Sequence, residues 1–316
     1  MARVFVTRAL PFPALDRLRA EHEVDVWEQR LPPTHDELLA RAAGAEGILA
    51  LLTDRLDAAT LEQLPKLRAI SNYAVGYDNI DVAAATARGI PVGNTPDVLT
   101  DATADLTFAL LLAAARRIPE AAVAARGGDW LTWEPGRYLG ATVQGAVLGI
   151  VGFGRIGRAV ARRARGFGLR LLATPTRTPV SEEDGAGVTF LPLAEVLATA
   201  DVVTLHVPLT PDTRHLIDDD ALARMRPHAL LVNTARGAVV DTDALVRALR
   251  DGRLAGAALD VFEDEPTVDP RLLRLEQVVL TPHLGSAGDR TRSAMCRLAV
   301  RNVAEVLAGR PPVTPL

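Results

Sequence analysis

The sequence is short of the residues on which several large classes of protein depend. It has one cysteine, Cys296, which excludes an intrachain disulfide and a cysteine-built metal centre. Cys296 follows Met295 in a helical pattern and reads as packing. Of the 35 basic residues, Lys66 alone is a lysine. It lies in LPKLRA with no glycine-rich loop around it, so a Walker-type phosphate loop and Schiff-base chemistry are both set aside. No histidine pair stands at the spacing of ligands on one helix face, and no metal is expected. Long apolar runs are missing too: the longest lies within Leu106 to Ala115, well short of the roughly 20 residues that span a bilayer. The opening MARVFVTRAL enters a strand-like pattern at once, without a signal peptide's apolar region and small-residue cleavage site, so a cytoplasmic location is expected. The net charge is −4, with Arg scattered among Asp and Glu. No basic stripe is available for nucleic-acid phosphates. Neither nucleic acid nor a membrane is expected as a partner.

What is present is the material of a folded α/β protein. At 316 residues, 48% hydrophobic and 23% charged, the chain has the length of two domains and enough apolar surface for two cores. From ARVFVT onward, β-rich runs alternate with helical stretches: a helix around Pro13 to Ala20, EVDVW, a helix after Thr34, GILALL, then LRAIS. That rhythm predicts a parallel sheet. Thr100 and Asp101 are placed to cap a long helix to about Arg117, with Leu106, Leu110, Ala113 and Ala114 at helical spacing, in a position to bridge two domains. The rhythm restarts with GAVLGIVG, LRLLAT, DVVTLHV, ALLVNT, GAALDVF and QVVLTPH. These predict a second, buried parallel sheet with helical crossovers. A last helix is expected from roughly Arg290 to Leu307, ending at Gly309 before a Pro pair.

The most informative local motif is Gly152-Phe153-Gly154-Arg155-Ile156-Gly157, which follows a strand and opens a helix. The first glycine permits the tight turn, the second lets a pyrophosphate approach the backbone, and the third allows close packing. The helix N-terminus attracts the phosphate charge. The ordinary alternative is a glycine-rich βα turn. Where an NAD-binding unit carries an acid at the end of its second strand, this chain reads Ala173-Thr174-Pro175-Thr176-Arg177-Thr178. Pro175 removes the repulsion against a 2′-phosphate, and Thr176, Arg177 and Thr178 supply hydroxyls and a guanidinium to hold it. NADPH is therefore the expected cofactor, with acceptance of both NADPH and NADH as the alternative should Arg177 be only a solvated loop residue.

Three polar residues follow strand ends, where open α/β sheets place ligands: Arg236 after LLVNTA, Glu265 after LDVFEDE and His283 after VVLTP. Arg can grip a 2-oxo-carboxylate, His can give a proton to the carbonyl oxygen, and Glu can orient the imidazole and favour its protonated form. Each has a plainer alternative: a capped carbonyl for Arg236, one more acid of the run Glu263-Asp264-Glu265, a structural hydrogen bond for His283. His206 and His215 compete for the histidine role, and spacing alone does not bring the three together.

With these pieces in hand, the runs SNYAVGYDNID, NTPDVLTDATADLTFALLLAAARR, LGIVGFGRIGRAVARRARGFG, LVNTARGAVVD, LDVFEDEP and TPHLGSA resemble the D-2-hydroxyacid dehydrogenases. Within that family the chain resembles the glyoxylate/hydroxypyruvate reductases, over essentially its whole length. The resemblance implies two Rossmann- or flavodoxin-like α/β domains with parallel sheets and an active site in the cleft between them. Residues 1–99 plus 285–316 would form the substrate domain and residues 100–284 the NAD(P)-binding domain. It implies substrate binding by Arg236, proton donation by His283, tuning of that histidine by Glu265, and receipt of the substrate carboxylate by the backbone of Val75 and Gly76. Thr103, Arg155, Ile156, Pro208, Thr213, Ala235 and Asp260 fall at positions that line the cofactor in relatives. The implied activity is reduction of a small 2-oxo acid, glyoxylate or hydroxypyruvate, to glycolate or D-glycerate. The alternatives are 3-phosphoglycerate or hydroxyisocaproate dehydrogenases, or a non-catalytic, cofactor-sensing corepressor-like protein. Val75 stands where similar phosphite dehydrogenases carry a catalytic lysine, and no regulatory domain of the phosphoglycerate dehydrogenases follows Leu316; both count against those activities. The loop Asp129 to Pro135 resembles a segment with which some relatives reach a partner subunit, so a homodimer is expected, with Trp133 either lent to the neighbour's site or a core residue.

Overall fold

The computed structural model describes residues 1–176 and 179–316. The chain divides into two units, Met1–Leu99 with Ser286–Leu316, and Thr100–Gly285. Each is organised around central strands whose side chains are buried on both faces, the pattern that forces helices onto either side of a parallel sheet.

In the first unit the strands are β1 (Arg3–Val6), β2 (Glu23–Val26), β3 (Gly47–Ala50), β4 (Ala69–Asn72) and β5 (Val92–Gly93). They pair in parallel in the order β2-β1-β3-β4-β5. The short helices α1 (Asp16–Glu21), α2 (His35–Ala42), α3 (Ala58–Glu62) and α4 (Val82–Ala87) make the crossovers. Their starts are written in the sequence: Thr34 forms a reciprocal capping box with Glu37, and the Asp57 and Asp81 side chains accept the amides of Thr60 and Ala84.

The second unit opens with α5 (Thr100–Ala115), α6 (Ile118–Gly127), β6 (Val147–Val151), α7 (Arg155–Gly166) and β7 (Arg170–Ala173). It continues through α8 (Glu182–Gly185), β8 (Val188–Phe190), α9 (Leu193–Thr199), β9 (Val202–Leu205), α10 (Asp219–Arg224) and β10 (Leu230–Asn233). Its last elements are α11 (Thr242–Arg250), β11 (Gly256–Leu259) and β12 (Val278–Leu280). The seven-stranded parallel sheet runs β12-β11-β10-β9-β6-β7-β8. Strand order therefore reverses between β6 and β9, and ligands of doubly wound sheets bind beyond the strand ends at such a switch point.

The expected helix to Arg117 is two helices. Arg117 takes a left-handed conformation with φ of 52°, and Pro119 sits in the first turn of α6, where its missing N–H costs nothing. Thr100 is the first residue inside α5 rather than its cap, and α5 packs against α7, β10, β11 and β12 of the second unit. The final helix, α12 (Asp289–Leu307), belongs to the first unit. Its fully buried Asn302 donates to the Asn94 carbonyl oxygen at 2.9 Å and to Thr314 Oγ1 at 3.0 Å, and accepts the Thr314 amide at 3.1 Å. A Cβ on Gly93 would lie 2.7 Å from Asn302 Cγ, so glycine is what lets the helix close onto β5. Among the described residues no helix is long and apolar enough to cross a membrane.

Candidate active site

The glycine turn is built as the spacing predicts. Gly152 follows β6 with φ of +96°, and a Cβ there would lie 2.6 Å from the His206 carbonyl carbon. Glycine is required twice over, by conformation and by contact. Gly157, in the first turn of α7, would bring a Cβ to 2.2 Å from the Gly152 carbonyl oxygen. Thr174, just past β7, accepts the Gly152 amide at 3.0 Å and ties the turn to the neighbouring strand. Gly154 is the N-cap of α7 and carries no side chain to cap it, leaving Arg155 and Ile156 to open a helix whose first amides face outward as an anion site. This is a cradle that a side chain would fill, and it fits a dinucleotide pyrophosphate. Beyond it, Pro175 and Thr176 occupy the end of β7 with no carboxylate among Thr174, Pro175 and Thr176. Arg177 and Thr178 lie outside the described residues.

The loops after β9, β10, β11 and β12 carry the other positions. After β9, Thr213 Oγ1 donates to the Pro208 carbonyl oxygen at 2.6 Å and accepts the Thr210 amide at 2.8 Å, closing a tight turn. After β10, the Asn233 side chain accepts the Ala235 amide at 3.0 Å and donates to the Arg236 carbonyl oxygen at 2.8 Å. The Arg236 guanidinium donates to the Ala235 carbonyl oxygen at 2.9 Å, so it is steered from its own backbone.

Glu265 and His283 meet. Glu265 Oε2 lies 2.8 Å from His283 Nδ1. Its other oxygen accepts the Phe262 amide at 3.0 Å. Burial works against ionisation of Glu265, but the hydrogen bond and charge of His283, with a further contribution from the Arg236 charge, hold its carboxyl below the usual range. Glu265 is thus an acceptor, and Nδ1 carries the proton between them. Arg236 is close enough for its charge to be felt at Glu265, so all three predicted residues share one locality.

His283 has a left-handed backbone, with φ of 55°, an uncommon state for a residue with a Cβ. Asp260, fully buried after β11, holds it there. Its carboxylate accepts Thr281 Oγ1 at 2.6 Å and the amides of Leu284 at 2.7 Å and Gly285 at 2.8 Å, and its carbonyl oxygen accepts the His283 amide at 2.9 Å. Burial pushes the Asp260 carboxyl up, against the pull of these bonds. Thr103, buried on α5, donates to the Gly285 carbonyl oxygen at 3.2 Å. Both residues expected to line a cofactor therefore also fasten the histidine loop.

The competing histidines are disposed of by their surroundings. His206 Nε2 lies 3.0 Å from Thr204 Oγ1, its Nδ1 is buried without a hydrogen-bond partner, and burial pushes the ring down to about 3. It is neutral and gives no proton near neutral pH. His215 is paired with Glu263 at 2.7 Å. That pair was invisible in the sequence, where Glu263 reads as one acid of an exposed run; partners 48 residues apart leave no local signal. Val75 and Gly76 occupy the turn after β4 in the first unit, where the Asn72 side chain donates to the Gly76 carbonyl oxygen at 2.8 Å and Asn94 donates to that of Val75 at 2.8 Å. Trp130, Leu131 and Trp133 are 65%, 89% and 76% exposed. Among the described residues no three His, Cys, Asp or Glu side chains gather for a metal ion.

The chain is similar to known proteins along its whole length. Residues 108–285 match the model of the D-isomer specific 2-hydroxyacid dehydrogenase NAD binding domain. The glyoxylate reductase of Pyrococcus furiosus is 47% identical over 316 residues, covering 99% of this chain and 94% of the relative. A solved structure from Thermus thermophilus superposes with a TM-score of 0.93 at 50% identity, covering 99% of both chains. The NADPH-dependent glyoxylate/hydroxypyruvate reductase of Sinorhizobium meliloti, solved with NADP and malonate, gives a TM-score of 0.88 at 36% identity, covering 100% of this chain and 96% of that one.

Proposed function

The chain belongs to the D-2-hydroxyacid dehydrogenase family, and on that premise we propose that it is an NADPH-preferring reductase of small 2-oxo acids, glyoxylate and hydroxypyruvate first. The observation that carries the reading is the Glu265–His283 pair at 2.8 Å, with the Arg236 charge beside it, beyond the strand ends of a dinucleotide-type sheet. The turn from Gly152 to Gly157 would hold the cofactor pyrophosphate, with Arg155 and Ile156 at the helix start and Thr103, Pro208, Thr213, Ala235 and Asp260 along the nucleotide. The chemistry such a cofactor brings when bound is hydride donation to a carbonyl carbon.

The protein's own residues do the rest. Arg236 pairs with the substrate carboxylate and carbonyl oxygen, helped by the backbone of Val75 and Gly76. His283, with Nδ1 committed to Glu265, delivers its proton from Nε2 to that oxygen. Glu265 fixes the ring's orientation and balances the charge it carries when protonated. Pro175 and Thr176, where an NAD enzyme has an acid, support the preference for a 2′-phosphate, and Arg177 and Thr178 are assigned to hold it. The exposed Trp130, Leu131 and Trp133 support a homodimer in which this loop reaches a partner subunit.

Steady-state kinetics with glyoxylate and hydroxypyruvate, each with NADPH and NADH, test the reading. We expect reduction of both acids with kcat/KM at least tenfold higher for NADPH. Equal or better efficiency with NADH overturns the cofactor assignment, and no turnover of either acid overturns the substrate assignment.

A further inference from the structure

We propose that Glu263 is a positioning residue that locks together the three loops bearing the site's chemistry, an inference that rests on the reductase reading above. Its carboxylate is taken up by partners other than the Glu265–His283 pair. Oε1 accepts His215 Nε2 at 2.7 Å and the Arg214 guanidinium at 2.9 Å, both from the loop that carries Pro208 and Thr213. Oε2 accepts Thr242 Oγ1 at 3.1 Å, at the start of α11 and just beyond the Arg236 segment. Glu263 itself stands two residues before Glu265. One residue thus ties the cofactor-lining loop and the segment following the substrate-binding arginine to its own turn, which presents Glu265, the carboxylate partner of the proton donor.

The backbones around it are fitted to one another at the same point. A Cβ on Gly237 would lie 1.9 Å from the Phe262 carbonyl carbon and 2.3 Å from the Glu263 amide nitrogen, so the residue after Arg236 runs directly against the peptide before Glu263. His215 is held in a left-handed conformation with φ of 52°, and its amide donates to the Ala238 carbonyl oxygen at 2.8 Å. A left-handed histidine costs on the order of 1 kcal/mol and persists only where its surroundings compensate. Here the compensation comes from the bond of its ring to Glu263 together with that of its amide to Ala238. The arrangement also explains the choice of an acid: three donors converge on two oxygens, one donor carrying a full charge. A glutamine in the same place turns a donor of its own toward that group and loses part of the set.

A residue that only anchored the fold would affect melting alone. A positioning residue affects turnover, because Pro208, Thr213, Arg236 and Glu265 lose their mutual registration, and small misplacements of reacting groups are costly. The test compares Glu263→Ala, Glu263→Gln, His215→Ala and the double alanine variant in the full-length protein, by glyoxylate kinetics with NADPH, melting temperature, and hydrogen exchange of the Phe262, His215 and Thr267 amides. We expect kcat to fall about ten- to hundredfold in Glu263→Ala, with KM for the nucleotide rising, and exchange at all three amides to quicken. Glu263→Gln should recover part of the rate, and the double variant should lose no more than Glu263→Ala alone, since the two residues act as one unit. Unchanged kinetics and exchange in folded Glu263→Gln and His215→Ala overturn the proposal, as does an additive double variant. Should the unsubstituted protein reduce no 2-oxo acid, the reductase reading fails, and the exchange measurements still decide whether Glu263 joins the loops.

Discussion

His206 allows a prediction whose size follows from the structure. Its ring sits just past β9, with Nε2 bound to Thr204, Nδ1 buried without a partner, and its peptide pressed against the Gly152 turn. Protonation would place a charged N–H where nothing accepts it, which is why burial pushes this histidine down to about 3 from the ordinary value of 6.5. Between those two values the unfolded chain binds a proton that the folded chain does not. Stability from this residue is therefore fully present above about pH 6.5 and is lost as pH falls toward 3. At pH 5 the loss spans about 1.5 pH units, or about 2 kcal/mol, and melting should drop by roughly 4–8 °C on that account. The perturbation is His206→Gln, whose amide keeps a partner for Thr204 and does not titrate. Thermal unfolding of both proteins between pH 5 and 7.5 isolates the residue, because contributions from the other titrating groups cancel in the difference. We expect the gap between the two melting temperatures to change by several degrees across that range in favour of the variant as pH falls. Parallel curves would refute the reasoning.

Two further predictions concern the loops. Gly157→Ala forces a methyl to 2.2 Å from the Gly152 carbonyl oxygen, so the turn must open. Cofactor affinity, followed by nucleotide fluorescence, should weaken at least tenfold, with about 1–3 kcal/mol of stability lost; unchanged affinity would contradict the assigned phosphate site. Asp260→Asn turns an amide donor toward a set of three donors, Thr281 Oγ1 and the amides of Leu284 and Gly285. That costs about 1–3 kcal/mol and frees His283 from its left-handed conformation. Turnover with glyoxylate should fall at least tenfold, and a variant with normal turnover would show that the histidine loop holds itself.

Much of the architecture was legible because it is local. The both-faces-apolar runs of Val147–Val151, Val202–Leu205 and Leu230–Asn233 announce buried parallel strands, and the glycine turn carries its own steric logic. The elements that escaped are those whose existence depends on neighbours. The edge strand Val188–Phe190 is half exposed and three residues long, and β5 is two residues that exist because Asn302 and the chain terminus close over them. The break between α5 and α6 turns on Arg117 adopting a conformation no propensity favours. At the site, residue types were readable and partnerships were not. Glu265 and His283 are 18 residues apart, so their pairing came from family resemblance, and the surroundings that neutralise His206 or pair His215 with Glu263 come from burial and loop packing that spacing does not encode.

The central claim is that His283, held by Glu265, supplies the proton when a 2-oxo acid is reduced. Its most direct test is the single-turnover and steady-state rate of glyoxylate reduction by His283→Ala, with nucleotide binding measured in parallel. The account predicts nucleotide affinity close to that of the unsubstituted protein and a kcat lower by about 10²–10⁴-fold. Near-normal kcat in a variant that still binds the nucleotide would contradict it.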